Sequence, residues 1–182
     1  MNNDLVTRDV FVGIDVAFAK KKRLPVSVCE IRNDLLIPLP LRTDFEKPPA
    51  GSGNKAALQE TVRKEFATAV AEWLKLLAKR KGLRIRRIAI DAPSDYCSSG
   101  VARRLSEQSL DQSGISCFAT PTKHQFIEKI RVSLAHLARG GAEANMPNAN
   151  QIWMLVGFDL FTALKSAGFE CIETYPQAIG GP

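Results

Sequence analysis

Apolar residues recur along this chain at two periods and in several short runs. Residues 10–16, Val-Phe-Val-Gly-Ile-Asp-Val, are rich in β-branched side chains and predict a buried strand whose only polar member is Asp15. A basic stretch, Lys20 to Arg23, then predicts a hairpin turn into residues 26–31, which alternate apolar with polar as a second strand does. Residues 35–41 predict a third strand. Pro38 and Pro40 interrupt it, and because proline has no N–H to give to a ladder, this strand belongs at a sheet edge. Residues 87–93 predict another buried strand ending at Asp91, and residues 169–175 a last one ending near Glu173.

Helical spacing fills the remainder. Across residues 55–81, Leu58, Val62, Phe66, Val70, Trp73, Leu74 and Leu77 recur at steps of three and four, the mark of a long amphipathic helix, with Gly82 as its C-cap. Ser98 or Ser99 is placed to cap a short helix running through Leu110. Residues 123–139 predict a helix with Phe126, Ile130, Leu134 and Leu137 on its inner face, and residues 151–166 are apolar on nearly every side, as in a buried helix. The order is β-β-β-α-β-α-α-α-β. Three strands joined by short turns make an antiparallel meander. Two later strands reached through helices run parallel to the first by right-handed crossover. The simplest arrangement is an α/β domain spanning residues 1–182, with a mixed five-stranded sheet ordered 3-2-1-4-5 and covered by helices.

Composition narrows the class. The 182 residues are 45% hydrophobic and 24% charged, ordinary for a globular protein and unlike collagen, disordered chains or coiled coils. The longest apolar run, residues 152–158, is far short of the ~20 residues needed to cross a bilayer, and no secretory leader is visible at Met-Asn-Asn-Asp. The four cysteines are widely spaced and form no C-x-x-C pair, so a cytoplasmic protein with reduced thiols is expected. With only His124 and His136, a Cys/His zinc site finds little support, and no G-x-S-x-G elbow is present. Trp73 and Trp153 fall in helical apolar patterns and are expected in the core rather than as base-stacking platforms.

Charge points to a polyanion. The net charge is +6, with basic clusters at Lys20, Lys21, Lys22 and Arg23, at Lys79 to Arg87, and at Lys123, Lys129 and Arg131. Together they favour phosphate contact. Against this background three acids stand out: Asp15, Asp91 and Glu173, at comparable points of three apolar strands. Charge in an apolar strand is costly unless paired or metal-bound, and converging carboxylates raise one another's pKa. A divalent cation relieves both, and hard oxygen ligands suit Mg²⁺ or Mn²⁺.

Val-Gly-Ile-Asp15, Ile-Ala-Ile-Asp91-Ala-Pro93 and Ile-Glu173-Thr-Tyr-Pro176 resemble the signature blocks of the predicted-nuclease family catalogued as domain of unknown function 429, assigned to the ribonuclease-H-like superfamily. Arg104-Leu-Ser-Glu107, residues 114–121 and Trp153-Met-Leu-Val-Gly157 fit the same pattern, in the same order, across nearly the whole chain. The resemblance implies a ribonuclease-H-like sheet, with Asp15 and Asp91 as central metal ligands and Glu173 as the third acid. Glu107 is then either a further acidic ligand or the partner of Arg104 in a structural salt bridge. Arg104 and Lys123, with Lys21 and Lys22, are the expected phosphate contacts. Such nucleases usually carry another acid on a helix after the fifth strand, whereas this sequence runs only to Pro182. Either Glu173 does that work or the helix is lacking; the first long helix offers Glu60 and Glu65 for a fourth ligand, and helical spacing sets Glu65 beside the apolar Val62–Phe66 side and Glu60 toward solvent.

The expected activity is therefore Mg²⁺- or Mn²⁺-dependent hydrolysis of phosphodiester bonds in DNA or RNA. The competing expectation is a catalytically silent module that binds nucleic acid or protein. A phosphotransferase of the actin-like type shares the first-strand Gly-x-Asp but needs two such domains and glycine-rich phosphate loops.

Overall fold

The computed structural model describes residues 7–178. The expectations about an N-terminal leader and about a helix after the last strand fall on the two ends of the chain, outside the described residues. Five strands form one sheet ordered β3-β2-β1-β4-β5: β1 (Arg8–Asp15), β2 (Val26–Arg32), β3 (Leu35–Pro38), β4 (Leu83–Asp91) and β5 (Cys171–Glu173). β1, β2 and β3 are antiparallel neighbours, while β4 is parallel to β1 and β5 parallel to β4. The strand order and directions are those the sequence predicts. Five helices complete the fold: α1 (Asn54–Ala57), α2 (Glu60–Lys81), α3 (Leu105–Gln112), α4 (Lys123–Ala138) and α5 (Ala149–Ser166). No helix among the described residues is long and apolar enough to cross a membrane.

Strand alternation divides the sheet into two unlike faces. Val10, Val12, Ile14, Val28, Ile88 and Ile90 point to one side, where they join Phe66, Val70, Leu74 and Leu77 of α2 and Ile152, Leu155, Leu160 and Leu164 of α5 in a single core. A buried ion pair ties these two helices together, Arg63 Nε donating to Asp159 Oδ2 at 2.8 Å. The opposite face carries Phe11, Cys29, Ile31, Leu36, Ala89 and Ile172, none of which belongs to the core. Ile31, Leu36 and Ile172 are 53%, 62% and 40% exposed.

The register of β1 on β4 contains an irregularity that positions the site. Val10 pairs with Ile85, but Phe11 pairs with Arg87, so Arg86 is an extra residue in a β-bulge. The sequence carries the signal: inward apolar residues fall at Leu83 and Ile85, then at Ile88 and Ile90, a phase change of one residue. From Phe11 onward the ladder is regular and ends with Asp15 opposite Asp91. Without the extra residue, Asp15 would lie opposite Ile90.

Several elements depart from their sequence-predicted bounds for identifiable reasons. The helix expected over 55–81 is two helices, because Arg63 Nη1 donates to the Ala57 carbonyl at 2.7 Å and Gln59 is extended (φ −96°, ψ 114°). The short helix starts at Leu105 rather than after Ser98 or Ser99, since Gly100 has φ +80° and the chain turns there. Leu134 lies outside, 49% exposed, and Ser133 takes the inner position of α4, its hydroxyl donating to the carbonyls of Lys129 (2.9 Å) and Pro147 (2.7 Å). The basic stretch after β1 is no tight hairpin. It zips onto residues 49–53 through Lys21 N–H to Gly51 O (3.0 Å), Gly51 N–H to Lys22 O (2.8 Å) and Leu24 N–H to Pro49 O (2.9 Å).

Gly157 lets α5 cross just beyond the end of β4: a Cβ there would stand 2.5 Å from Ala92 Cβ. Overpacking of this kind costs about 1–3 kcal/mol. Gly157→Val is predicted to lower the urea midpoint by a corresponding amount without changing the m-value. An unchanged midpoint would show that the crossing does not depend on the missing side chain.

Candidate functional site

Three parallel strands, β1, β4 and β5, end together at one edge of the sheet, where open α/β sheets place their ligands. Asp15 and Asp91 are the last residues of β1 and β4 and are direct register partners. Adjacent strands lie about 4.8 Å apart, so two carboxylates share this point. Asp15 is exposed and Asp91 half-buried. Burial, and then the Asp15 charge beside it, push the Asp91 carboxyl above its ordinary range.

Glu173 is held differently. Its strand partner is Ile90, so alternation sets it on the side of the sheet that Ile90 faces, whereas Asp15 and Asp91 lie on the other. Its carboxylate accepts the Ser94 N–H at 2.8 Å and a charge-assisted bond from Arg104 Nη2. Burial pushes the Glu173 carboxyl up, but the Arg104 and Ser94 hydrogen bonds outweigh it and hold the group below the usual range. The third acid is thus already satisfied by protein.

Glu107 is buried in α3 and is also satisfied. Its Oε1 accepts the Thr120 N–H at 2.9 Å and the Thr120 hydroxyl, and its Oε2 accepts the Arg104 N–H at 3.1 Å. Of its two sequence readings, the structure gives the structural one through the backbone of Arg104, while the Arg104 guanidinium goes to Glu173. Glu65 is exposed, and Glu60 pairs with Lys64 at 2.5 Å. Among the described residues, no group of three or more His, Cys, Asp and Glu side chains is placed to hold a metal ion. Mg²⁺ is commonly held by only one or two carboxylates, with water and substrate phosphates completing its shell. The register pair Asp15–Asp91, with one carboxyl destabilised by the other's charge, fits that donor set.

The basic clusters separate by place. Lys79 to Arg87 lie at the opposite end of β4 and are largely engaged: Lys81 with Glu46, Arg84 with Asp9 at 2.5 and 2.9 Å, and Arg87 with Glu170 at 2.8 Å. In the third cluster, Arg131 pairs with Glu128, and Lys129 donates to Asn148. Lys21 and Lys22 lie in the connection leaving β1 just after Asp15, and Lys123 begins α4. All three are exposed and have no ion-pair partner among the described residues.

Beside the carboxylates opens a cleft of about 460 Å³. Asp91, Glu173 and Arg104 line its polar end, and Leu110, Phe118, Trp153, Met154 and Tyr175 its apolar walls. The helical apolar pattern places Trp153 in the core. The structure packs it against the core and also exposes part of it to the cleft. Phe118, in the segment expected to be irregular, is 58% exposed. Its neighbours Cys117 and Ala119 are small and apolar, so the sequence carries no signal that sets it on the surface. All four cysteines carry free thiols.

No family model, curated protein or solved structure matches this chain.

The Arg104–Glu173 bond carries a pH signature. A carboxylate held below its unfolded pKa stabilises the fold above that value and loses the contribution as pH falls. Arg104→Gln is therefore predicted to lower the melting temperature at pH 7, with the gap to wild type narrowing below about pH 4.5. A gap independent of pH would contradict the assignment of the shift to Arg104.

Proposed function

We propose that this chain is a divalent-cation-dependent nuclease that hydrolyses phosphodiester bonds in DNA or RNA, of the ribonuclease-H-like kind its sequence resembles. The observation that carries the reading is the Asp15–Asp91 register pair at the ends of adjacent parallel strands, beside an open cleft. Asp15 and Asp91 would hold Mg²⁺ or Mn²⁺. Such an ion, when bound, supplies Lewis-acid stabilisation at phosphorus and a more acidic water. Arg104 holds Glu173 in place at the end of β5, which keeps the cleft wall fixed and leaves Asp15 and Asp91 as the edge carboxylates without an ion-pair partner among the described residues. Lys21, Lys22 and Lys123, without ion-pair partners among the described residues, offer cations to the phosphate backbone. Four free thiols suit a reducing, cytoplasmic setting.

A second reading, a silent nucleic-acid- or protein-binding module, is favoured by one observation: Glu173 is already engaged by Arg104 and Ser94 and is not free to act as a third acid.

The test is cleavage of end-labelled single-stranded DNA, RNA, duplex and hybrid in Mg²⁺ or Mn²⁺ by wild type, Asp15→Asn and Asp91→Asn. Removing a metal ligand forfeits several kcal/mol of charge stabilisation, so each variant should lose activity by about a hundredfold or more. Circular dichroism and melting should remain those of a folded protein. Wild-type rates in both variants would sink the site. Binding without cleavage by wild type in either metal would select the second reading.

A further inference from the structure

The cleft is wider and more apolar than a metal site requires, and its aromatic walls present themselves in a particular way. The Trp153 indole N–H donates to the Asn150 carbonyl at 2.9 Å, and the Tyr175 hydroxyl donates to the Ser116 carbonyl at 2.6 Å. Both polar tips are consumed by backbone, so what these rings offer the cleft is ring surface. Phe118 adds a third, more exposed ring. At the polar end of the same cavity stand Asp91 and the Arg104–Glu173 pair.

A site that joins aromatic ring surface to the Arg104–Glu173 pair and the Asp91 carboxylate matches a ligand that joins a flat π-system to a phosphodiester met through a divalent cation. Its volume lies within the range of small-ligand pockets, roughly 300–1,000 Å³. A base inside a duplex cannot enter such a concavity, because it must first leave its stack. We propose that this cleft takes one unstacked nucleobase of a single-stranded segment, seated against Trp153 and Phe118, and thereby sets the neighbouring phosphodiester at the Asp15–Asp91 edge. This rests on the nuclease reading for its biological meaning, but the binding event does not depend on cleavage.

The experiment is done with Ca²⁺ in place of Mg²⁺ and Mn²⁺, and the strands are recovered intact afterwards, so that binding is read without hydrolysis. Trp73 is buried, its indole N–H bonded to the Phe45 carbonyl at 3.1 Å, and Trp73→Phe leaves Trp153 as the sole tryptophan reporter. Three probes are titrated: a thymidine oligonucleotide, the same sequence as a duplex, and a fully abasic deoxyribose-phosphate oligomer of equal length. The inference predicts quenching of Trp153 by the single strand, binding weaker by about tenfold or more for the abasic oligomer, and little quenching by duplex. Trp153→Ala and Phe118→Ala, followed by fluorescence anisotropy of a labelled thymidine strand, should each weaken it by a similar factor. Phe118 is exposed enough for its variant to fold even if the Trp153 change disturbs α5. Equal affinity for normal and abasic strands, or normal affinity in Phe118→Ala, would overturn the pocket. Cleavage that persists alongside either result would leave the nuclease reading standing while the pocket falls. Base-dependent binding in a protein that never cleaves would do the reverse.

Discussion

The register of β1 on β4 is the constraint on which the candidate site depends. One extra residue, Arg86, sits between Ile85 and Arg87 with no register partner in β1, and every pair after it is displaced by one position. The displacement keeps Ile88 and Ile90 facing the core beside Val12 and Ile14, and it brings two aspartates opposite each other at the strand ends. A pair of like charges in that position disfavours the fold. With the Asp91 carboxyl raised, the folded chain holds its proton more tightly than the unfolded chain, so stability falls as pH rises through that window. A local cost of this kind is characteristic of functional sites.

Around the pair, the remaining charges are sorted by what satisfies them. Glu107 accepts three protein hydrogen bonds, which fix the start of α3 to the segment at Thr120. The turn that brings Arg104 to α3 also delivers its guanidinium to Glu173. Gly157 allows α5 to pass against Ala92, immediately after Asp91, and so carries Trp153 and Met154 into the cleft wall. The cations at the far end of β4 are absorbed by Asp9, Glu46 and Glu170, whereas Lys21, Lys22 and Lys123 are not. Positive charge spread along the whole sequence thus resolves into a structural set and an available set.

Much of the fold was legible because it follows from local pattern. β-branched runs gave β1 and β4, and the prolines at 38 and 40 gave an edge strand. The crossover rule then gave the order 3-2-1-4-5. The position of Asp15 and Asp91 at neighbouring strand ends was legible for the same reason. What was not legible depended on side chains meeting from distant parts of the chain. Arg63 splits the first helix by taking a carbonyl six residues earlier while paired to Asp159 on α5. Arg104 reaches Glu173 rather than Glu107, which no spacing rule distinguishes. The placement of Glu173 away from the aspartates follows from its opposition to Ile90, a register that a three-residue strand does not announce. The Arg86 bulge was legible in principle, from the one-residue change of phase between Ile85 and Ile88.

The candidate site stands or falls with the interaction between the Asp15 and Asp91 carboxylates. The most direct measurement is a carbon-13 NMR titration of the Asp91 side-chain carboxyl in wild type and in Asp15→Asn, without divalent cations. An interacting pair gives an Asp91 midpoint above the ordinary aspartate value in wild type, and a downward shift in Asp15→Asn that leaves only the part due to burial. An Asp91 midpoint at or below the ordinary value, or one unmoved by the loss of the Asp15 charge, would contradict it.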